Sequence, residues 1–332
     1  MNSSKTRGDG APVISLVIPV YNRPDMIATC LKSLAPSLEH LRDVIVVDDG
    51  STDNATPAAI EATISEMGAG DTIRLIRQEN AGPGAARNTG VAAATGDWIA
   101  FLDSDDLWLP WSGKELCDCI ERHPDIAAIF ENARPFADLS EVSAWTQEPL
   151  REVVHEDFFA LTRVRPRIVR TGSGYFAIRR HIFAQSGGFV PGLRGSEDSD
   201  FFYRIAREGA FVALEYPALI ARRTGGDDSL TLNMSALSEG LYFLMEGRRS
   251  GRYGPPDRDL DHSLADLLAF WIHALFYGGW GREAYDLLLR RGGFGLMMRN
   301  GHRKNALKLV SIPVLSVIRP RNHKFSWRPK AN

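Results

Sequence analysis

Two short acidic strings, each placed directly after an apolar run, offer the clearest chemistry in this chain. In VDDGSTD (47–53), Asp48 and Asp49 end such a run. Ionised carboxylates there are costly unless they face a cleft and find donors. Turned toward a ligand, the pair would accept hydrogen bonds from a base or a ribose. Turned toward the chain, Asp-Gly followed by Ser-Thr-Asp makes a strand end and a helix cap. In LDSDD (102–106), Asp103 and Asp105 stand two residues apart after WIAF. Carboxylates so spaced at a strand end can point at one hard cation. Mg²⁺ or Mn²⁺ held by one or two carboxylates together with substrate phosphates is a common arrangement. DxD strings also recur by chance in acidic loops, so neither string decides a role alone.

Two more strings complete the set. ENAGPGAARNTG (79–90) runs from a Gly-rich turn into a helix carrying Arg87. Backbone N–H groups at a helix start and a guanidinium both suit a diphosphate; the alternative is a structural loop with a solvated arginine. The string lacks the GxxxxGK[ST] pattern, which disfavours a P-loop NTPase. GSEDSDF (195–201) puts Glu197 and Asp198 at a helix beginning. The helix dipole stabilises acids there whatever their task, and the functional reading is a general base.

The elements that must position these residues alternate between β-rich runs and helix-like segments, the pattern of α/β layering around a largely parallel sheet. Strands are expected at VISLVI (13–18), DVIVVD (43–48), TIRLIR (72–77) and DWIAFLD (97–103). Helices are expected from Pro24 to Leu38, from near Asp53, and from Pro83 to Ala94. Farther on, GSGYFAIRR and FVALEY read as strands and SEDSDFFYRIAREG as a helix. The acidic and Gly-rich strings thereby fall at the carboxyl ends of strands, where open α/β sheets bind ligands.

Composition sets the bounds. With 332 residues, 44% hydrophobic and 24% charged, the chain has globular composition. Its three cysteines, Cys30, Cys117 and Cys119, form no CxxC pair, so neither a disulfide framework nor a zinc site is indicated; a reducing cytoplasmic compartment is expected. Residues 1–11 read as a polar, disordered leader, and no apolar stretch reaches the roughly 18 residues of a spanning helix. The net charge of −2 conceals an asymmetry. From Gly281 to Asn332 there are twelve Lys or Arg against Glu283 and Asp286, which leaves about −12 for the preceding residues. Beyond about Ser229 the chain reads as helix-like, so an α/β domain is placed at 12–228 and a helical, basic extension at 229–332. That extension either packs on the domain with a solvated basic face or serves as a peripheral anchor on an anionic membrane.

The ordered set PVYN (19–22), VDDGSTD, GPGAARNTG (82–90), LDSDD and SEDSD (196–200) resembles the family 2 glycosyltransferases, over about residues 13 to 228. The resemblance implies a GT-A nucleotide-binding α/β domain with a mostly parallel central sheet flanked by helices. The implied activity is a metal-dependent, inverting, single-displacement sugar transfer from a nucleotide-diphosphate sugar. In that light Pro19, Tyr21 and Asp48 or Asp49 would surround the nucleobase, with Arg87 on the nucleotide side. Asp103 would lie near the ribose and Asp105 would bind Mn²⁺ or Mg²⁺. Asp198 matches the family's base, with Glu197 its neighbour.

One departure concerns the histidine that many relatives place after the last strand of the domain. Here the string is IARRTGGDDSLT, with Thr224 in that place, so Arg222, Arg223 or Asp227 stand as substitutes for a third metal ligand unless the loop only closes over the donor. The QxxRW string of processive synthases is absent, which by analogy favours transfer of one sugar. UDP is the commonest donor nucleotide of the family. A glycan or lipid-linked acceptor in bacterial cell-surface glycan or glycoconjugate synthesis is the expected partner, and no nucleic acid is. The stretch Glu131 to Arg170, including Trp145, His155 and Arg165, matches no motif and is assigned to the acceptor side. Competing readings are a sugar-phosphate nucleotidyltransferase, whose amino-terminal Gly-rich basic signature is missing, and an inactive nucleotide-sugar-binding module, against which the joint presence of Asp105 and Asp198 speaks.

Overall fold

The computed structural model describes residues 12–163, 172–224, 233–255 and 257–310. The expected leader, Arg165, Asp227 and the basic residues beyond 310 lie outside them. The chain falls into two compact units, one reaching to Gly192 and resuming from Ile205 to Gly226, the other holding Leu193–Arg204 and the chain from Asp227 onward.

In chain order the first unit runs β1 (Ile14–Val20), α1 (Pro24–Ser33), β2 (Leu41–Asp48), α2 (Ala55–Met67), β3 (Ile73–Arg77), α3 (Pro83–Ala93) and β4 (Trp98–Phe101). There follow β5 (Leu107–Trp108), α4 (Ser112–Arg122), β6 (Ala128–Glu131), β7 (Ala133–Phe136), α5 (Leu139–Ser143), β8 (Arg151–His155), α6 (Phe158–Arg163), β9 (Phe176–Arg179) and α7 (Arg180–Ser186). Beyond α8 (Glu197–Ile205), β10 (Phe211–Tyr216) and β11 (Ile220–Arg223) return to it.

Among the described residues, eight strands form one sheet in the order β3-β2-β1-β4-β9-β6-β10-β8, and β5-β11-β7 form a second, smaller one. The strands β3, β2, β1 and β4 pair in parallel, as do β6 and β10. In contrast, β9 lies antiparallel between β4 and β6, and β8 closes the edge antiparallel to β10. Every residue of β1 is buried, as expected of a parallel strand covered on both faces. On one face Leu16, Ile18, Val46 and Ala100 join Ile27 and Leu31 of α1, Ile60 of α2 and Leu116 of α4 in a single core. Elsewhere Phe101, Phe130, Phe176 and Phe211 form a ring-on-ring layer, Phe101 stacking on Phe176 with centroids 4.8 Å apart.

The structure revises one expectation. The helix foreseen to Leu38 stops at Ser33 and gives way to a 3₁₀ turn over Ala35–His40, because Pro36 has no N–H to continue the α-helical ladder. The stretch without a motif, 131–170, contributes strands to both sheets.

In the second unit α8 is followed by α9 (Met234–Ser250), α10 (Arg258–Tyr277), α11 (Gly281–Tyr285), α12 (Gly293–Arg299) and α13 (Arg303–Val310). Asn233 and Asp257 cap α9 and α10 by accepting from Ala236 N at 3.1 Å and Asp259 N at 2.6 Å. Arg248 of α9 pairs with Asp261 of α10, and His302 meets Asp266 of α10 at 2.6 Å. No helix among the described residues is long and apolar enough to cross a membrane.

Candidate active site

Parallel pairing brings the sequence-predicted residues of the first unit to one edge of the sheet. Val20 at the end of β1 stands beside Asp48 at the end of β2. Leu102, just past β4, donates its N–H to Val17 O of β1 at 3.2 Å. Pro19 and Tyr21, Asp48 and Asp49, and the LDSDD turn thus emerge on adjacent strands in one direction. Pro19 is buried within β1, whereas Tyr21 is 43% exposed.

The two acidic strings differ in what their carboxylates bind. Asp48 is fully buried; its Oδ1 accepts from Ser51 N at 2.9 Å and its Oδ2 from Arg77 Nε at 2.9 Å. Asp49 accepts from Gln78 Nε2 at 2.7 Å and from the backbone N–H groups of Ala81 and Gly82, each at 2.9 Å. The donors a buried pair requires are therefore the chain's own, and Asp49 organises the Gly-rich turn that opens α3. The turn after β2 is also tied to PVYN, since Asn22 Oδ1 accepts from Thr52 N at 2.8 Å and Asn22 N donates to Ser51 Oγ at 2.9 Å.

In LDSDD the partners are guanidinium groups. Asp103 pairs with Arg87 of α3, Nη2 to Oδ1 at 2.6 Å, and Asp105 with Arg23 at 3.0 Å. Arg87 is 4% exposed rather than solvated, and its Nε and Nη1 have no hydrogen-bond partner among the described residues. Buried donors without acceptors are costly, and here they stand beside an acid cluster at the sheet edge. Gly174 makes room for Asp103: a Cβ at that position would meet the Asp103 carboxyl at 2.5 Å.

The third acid, Asp106, was not singled out from sequence. It is 2% exposed, accepting from Tyr175 Oη and from Arg223 N, each at 2.9 Å. Arg222 Nε donates in turn to Tyr175 Oη at 2.9 Å. Burial, reinforced by the charges of Asp103 and Asp105, pushes the Asp106 carboxyl up to about 8. Beside it, Asp103 and Asp105 face Arg87 and Arg23. The small sheet makes the contacts of Asp106 possible, because β5 follows directly on Asp106 and pairs with β11, which carries Arg222 and Arg223.

Arg222 and Arg223 therefore hold the cluster by donation. As donors without acceptor lone pairs they cannot ligate a cation, which removes both as substitutes for a third metal ligand. Thr224 is occupied as well, donating from N and Oγ1 to Phe136 O of β7 at 3.0 and 2.9 Å. Among the described residues no group of three or more His, Cys, Asp or Glu side chains is arranged to hold a metal. Sequence reasoning also passed over Arg23 and Tyr175. The available signals were an arginine directly after PVYN and a tyrosine among the glycines of GSGYF.

Glu197 and Asp198 open α8, in the second unit. Both are half-buried, and Asp198 Oδ1 accepts from Ser199 N at 2.6 Å.

The model of Glycosyl transferase family 2 matches residues 15–187. The chain belongs to this family. The matched span contains β1 to α7, with the LDSDD turn, Arg87 and Tyr175, and ends before Glu197. An uncharacterised glycosyltransferase of Haemophilus influenzae is 28% identical over 211 residues, 60% of this chain and 64% of its own length. The chain thus spans less than two thirds of that curated relative. Among solved structures, residues 1–349 of S. aureus TarS with UDP-GlcNAc share the fold at TM-score 0.63 and 18% identity, over 90% of this chain and 89% of that one. A mannosyltransferase from Pyrobaculum calidifontis in complex with GDP-Man and Mn²⁺ does so at TM-score 0.56 and 21% identity, over 94% and 82%. The GT-A architecture expected from the sequence is thus shared with these two solved structures.

Proposed function

We propose that this family 2 member is a metal-dependent, inverting glycosyltransferase that moves one sugar from a nucleotide-diphosphate donor to an acceptor hydroxyl. The observation that carries the reading is the charge arrangement at the sheet edge. Two carboxylates, Asp103 and Asp105, face two arginines there, and one of these, Arg87, is buried with its Nε and Nη1 unpartnered among the described residues.

The residues fit a hard divalent cation. Asp103 and Asp105 offer carboxylate oxygens, and their side chains are about a third exposed, at 32% and 30%. Mg²⁺ and Mn²⁺ need only one or two such ligands when phosphates and water complete the sphere. Asp105 would hold the ion, giving up its contact with Arg23, and a bound ion would supply Lewis-acid neutralisation of the leaving diphosphate. Arg87 would turn its free donors to the nucleotide diphosphate, while Pro19 and Tyr21 would border the base and Asp103 the ribose. Asp48 and Asp49 would act at one remove, by holding the loops that form the nucleotide pocket. Asp198, with Glu197 beside it, would take the proton of the acceptor hydroxyl as its oxygen bonds to the anomeric carbon and the bond to diphosphate breaks. One such displacement inverts the anomeric centre.

A UDP-sugar is the first donor to try, since TarS is described with UDP-GlcNAc, and a GDP-sugar the second, from the mannosyltransferase with GDP-Man. The same reading places the protein in the cytoplasm, peripheral at the inner membrane, with a glycan or lipid-linked acceptor. The test is a panel of UDP-, GDP- and dTDP-sugars assayed for hydrolysis and transfer with Mn²⁺ and with chelator. Turnover of one donor that needs the metal is expected. Binding without turnover for every donor would make the protein an inactive module, and metal-independent turnover would remove the cation from the reading.

A further inference from the structure

Asp200, two residues after Asp198 in the second unit, carries four hydrogen bonds on its carboxylate, and nothing in the reading above uses it. Its side chain is fully buried. Oδ1 accepts from Arg252 Nε at 2.7 Å and from Tyr253 Oη at 3.0 Å. Oδ2 accepts from Arg204 Nε at 3.0 Å and from Arg252 Nη2 at 3.3 Å. Arg204 lies one turn on in the same helix and suffices as a local partner. Arg252 and Tyr253 come from elsewhere, from the turn that ends α9, where Arg252 N also donates to Gly247 O at 2.9 Å. A carboxylate buried between two guanidinium groups and a phenol is held in place far more strictly than a solvated helix cap, because each charge-assisted bond is directional and water is excluded.

A second contact grips the other end of the same turn. Gly195, just before α8, lies directly against Ala236 and Gly240 of α9: a Cβ on either glycine would collide with the opposing backbone carbonyl. Between them Ser196 takes a left-handed backbone, φ 57°, a conformation that a non-glycine residue keeps only where its surroundings impose it. The Asp200 N–H closes the turn on Ser196 O at 3.0 Å. Glu197, Asp198 and Ser199 are therefore suspended between two anchors, both supplied by α9 and the turn after it.

We propose that Arg252 and Tyr253 are positioning residues which, by holding Asp200, fix the first turn of α8 and with it the carboxylate of Asp198. This rests on the reading of Asp198 as the base and adds a task for the carboxyl-terminal helices beyond packing or membrane contact. Misplacing a reacting group by about 1 Å costs on the order of 10²-fold in rate, so loosening this turn should appear in kcat.

The test is carried out on the full chain with Arg252→Ala, Arg252→Lys and Tyr253→Phe. Hydrogen–deuterium exchange is followed at 195–202 and, as a reference, at 44–48 in β2. Turnover of UDP-GlcNAc, UDP-glucose and GDP-mannose is measured with Mn²⁺. Arg252→Ala should raise exchange at 195–202 by about tenfold with β2 unchanged, and should lower kcat by about 10²-fold with donor KM unchanged. In an Asp198→Asn background the same substitution should lower kcat no further, and Arg252→Lys should restore part of the loss. Unchanged exchange at 195–202 would overturn the proposal whether or not a donor is turned over, and so would a kcat loss that adds in full to that of Asp198→Asn. Should Arg252→Ala not fold, Tyr253→Phe, which keeps both guanidinium groups, is read by the same criteria. Absence of turnover by the wild type with every sugar would count against the transferase reading alone, since the exchange comparison stands without it.

Discussion

Glu131 is the last residue of β6, in the interior of the sheet, fully buried, and among the described residues neither of its carboxyl oxygens has a hydrogen-bond partner. Burial pushes this carboxyl from its ordinary value of 4.5 up to about 8, so folding at neutral pH takes up a proton. The sign follows from linkage: with the folded value raised, the associated stability is fully present below about pH 4.5 and is lost as pH rises toward 8. From those two values the loss between pH 5 and pH 8 comes to about 3–4 kcal/mol. Glu131→Gln cannot ionise, so whatever its amide costs in an apolar site is the same at every pH. Thermal unfolding of both proteins from pH 5 to 8 isolates the effect, because all other titrating groups, Asp106 included, are common to the pair. For a unit of this size the wild type should lose about 10 °C relative to the variant across that interval. A difference in melting temperature that stays constant from pH 5 to pH 8 would refute the reasoning.

Asp105→Ala should reduce Mn²⁺-dependent transfer by at least about 10²-fold, since the ion offsets several kcal/mol of leaving-group charge; wild-type turnover by this variant in metal-depleted buffer would show that Asp105 holds no ion. Asp198→Asn should leave donor affinity intact, by calorimetry, while transfer falls by roughly 10²- to 10⁴-fold. An inactive Glu197→Gln beside an active Asp198→Asn would exchange the two roles. Gly174→Ala should drive the Asp103 carboxylate off Arg87, raising donor KM by about tenfold and costing roughly 1–3 kcal/mol of stability as an overpacked contact; an unchanged KM would mean that the pair plays no part in donor binding. Co-sedimentation of the full chain with anionic vesicles should weaken with salt and with truncation after 281, as a basic peripheral surface requires, and salt-insensitive absence of binding would remove the membrane from the reading.

The parts of the fold that were legible in the sequence are those whose cause is local. The strands β1, β2 and β4 stand out because parallel strands buried on both faces are unbroken apolar runs, and α3 begins where Pro83 follows a glycine-rich turn. The strands β5, β7 and β11 were not legible. They are two to four residues long, too short to show a period, and they exist because each finds a partner distant in the chain. Glu131 illustrates the same limit from the other side: a glutamate argues against a buried strand, and only the flanking strands β9 and β10 put it there. The antiparallel insertion of β9 between β4 and β6 is likewise a matter of tertiary pairing, with no mark in the residues themselves.

The acidic strings carry the same lesson into the candidate site. Asp48 and Asp49 on the one hand, Asp103 and Asp105 on the other, are equivalent as residue types at strand ends, and both pairs are read as ligand-binding on equal grounds. What separates them is where their counter-groups come from. The donors to Asp49 are chiefly an amide side chain and two backbone N–H groups of the turn from Gln78 to Gly82, so its acceptor capacity is taken up in building that turn. The partners of Asp103 and Asp105 are guanidinium side chains on separate elements, whose pairing holds no backbone turn in place. Replacing Asp49 should therefore act on the nucleotide site through the shape of the Gly-rich turn, and replacing Asp105 through charge alone. Added Mn²⁺ has no means of repairing the first defect, whereas Asp105→Glu, which keeps the charge, has the means to repair part of the second.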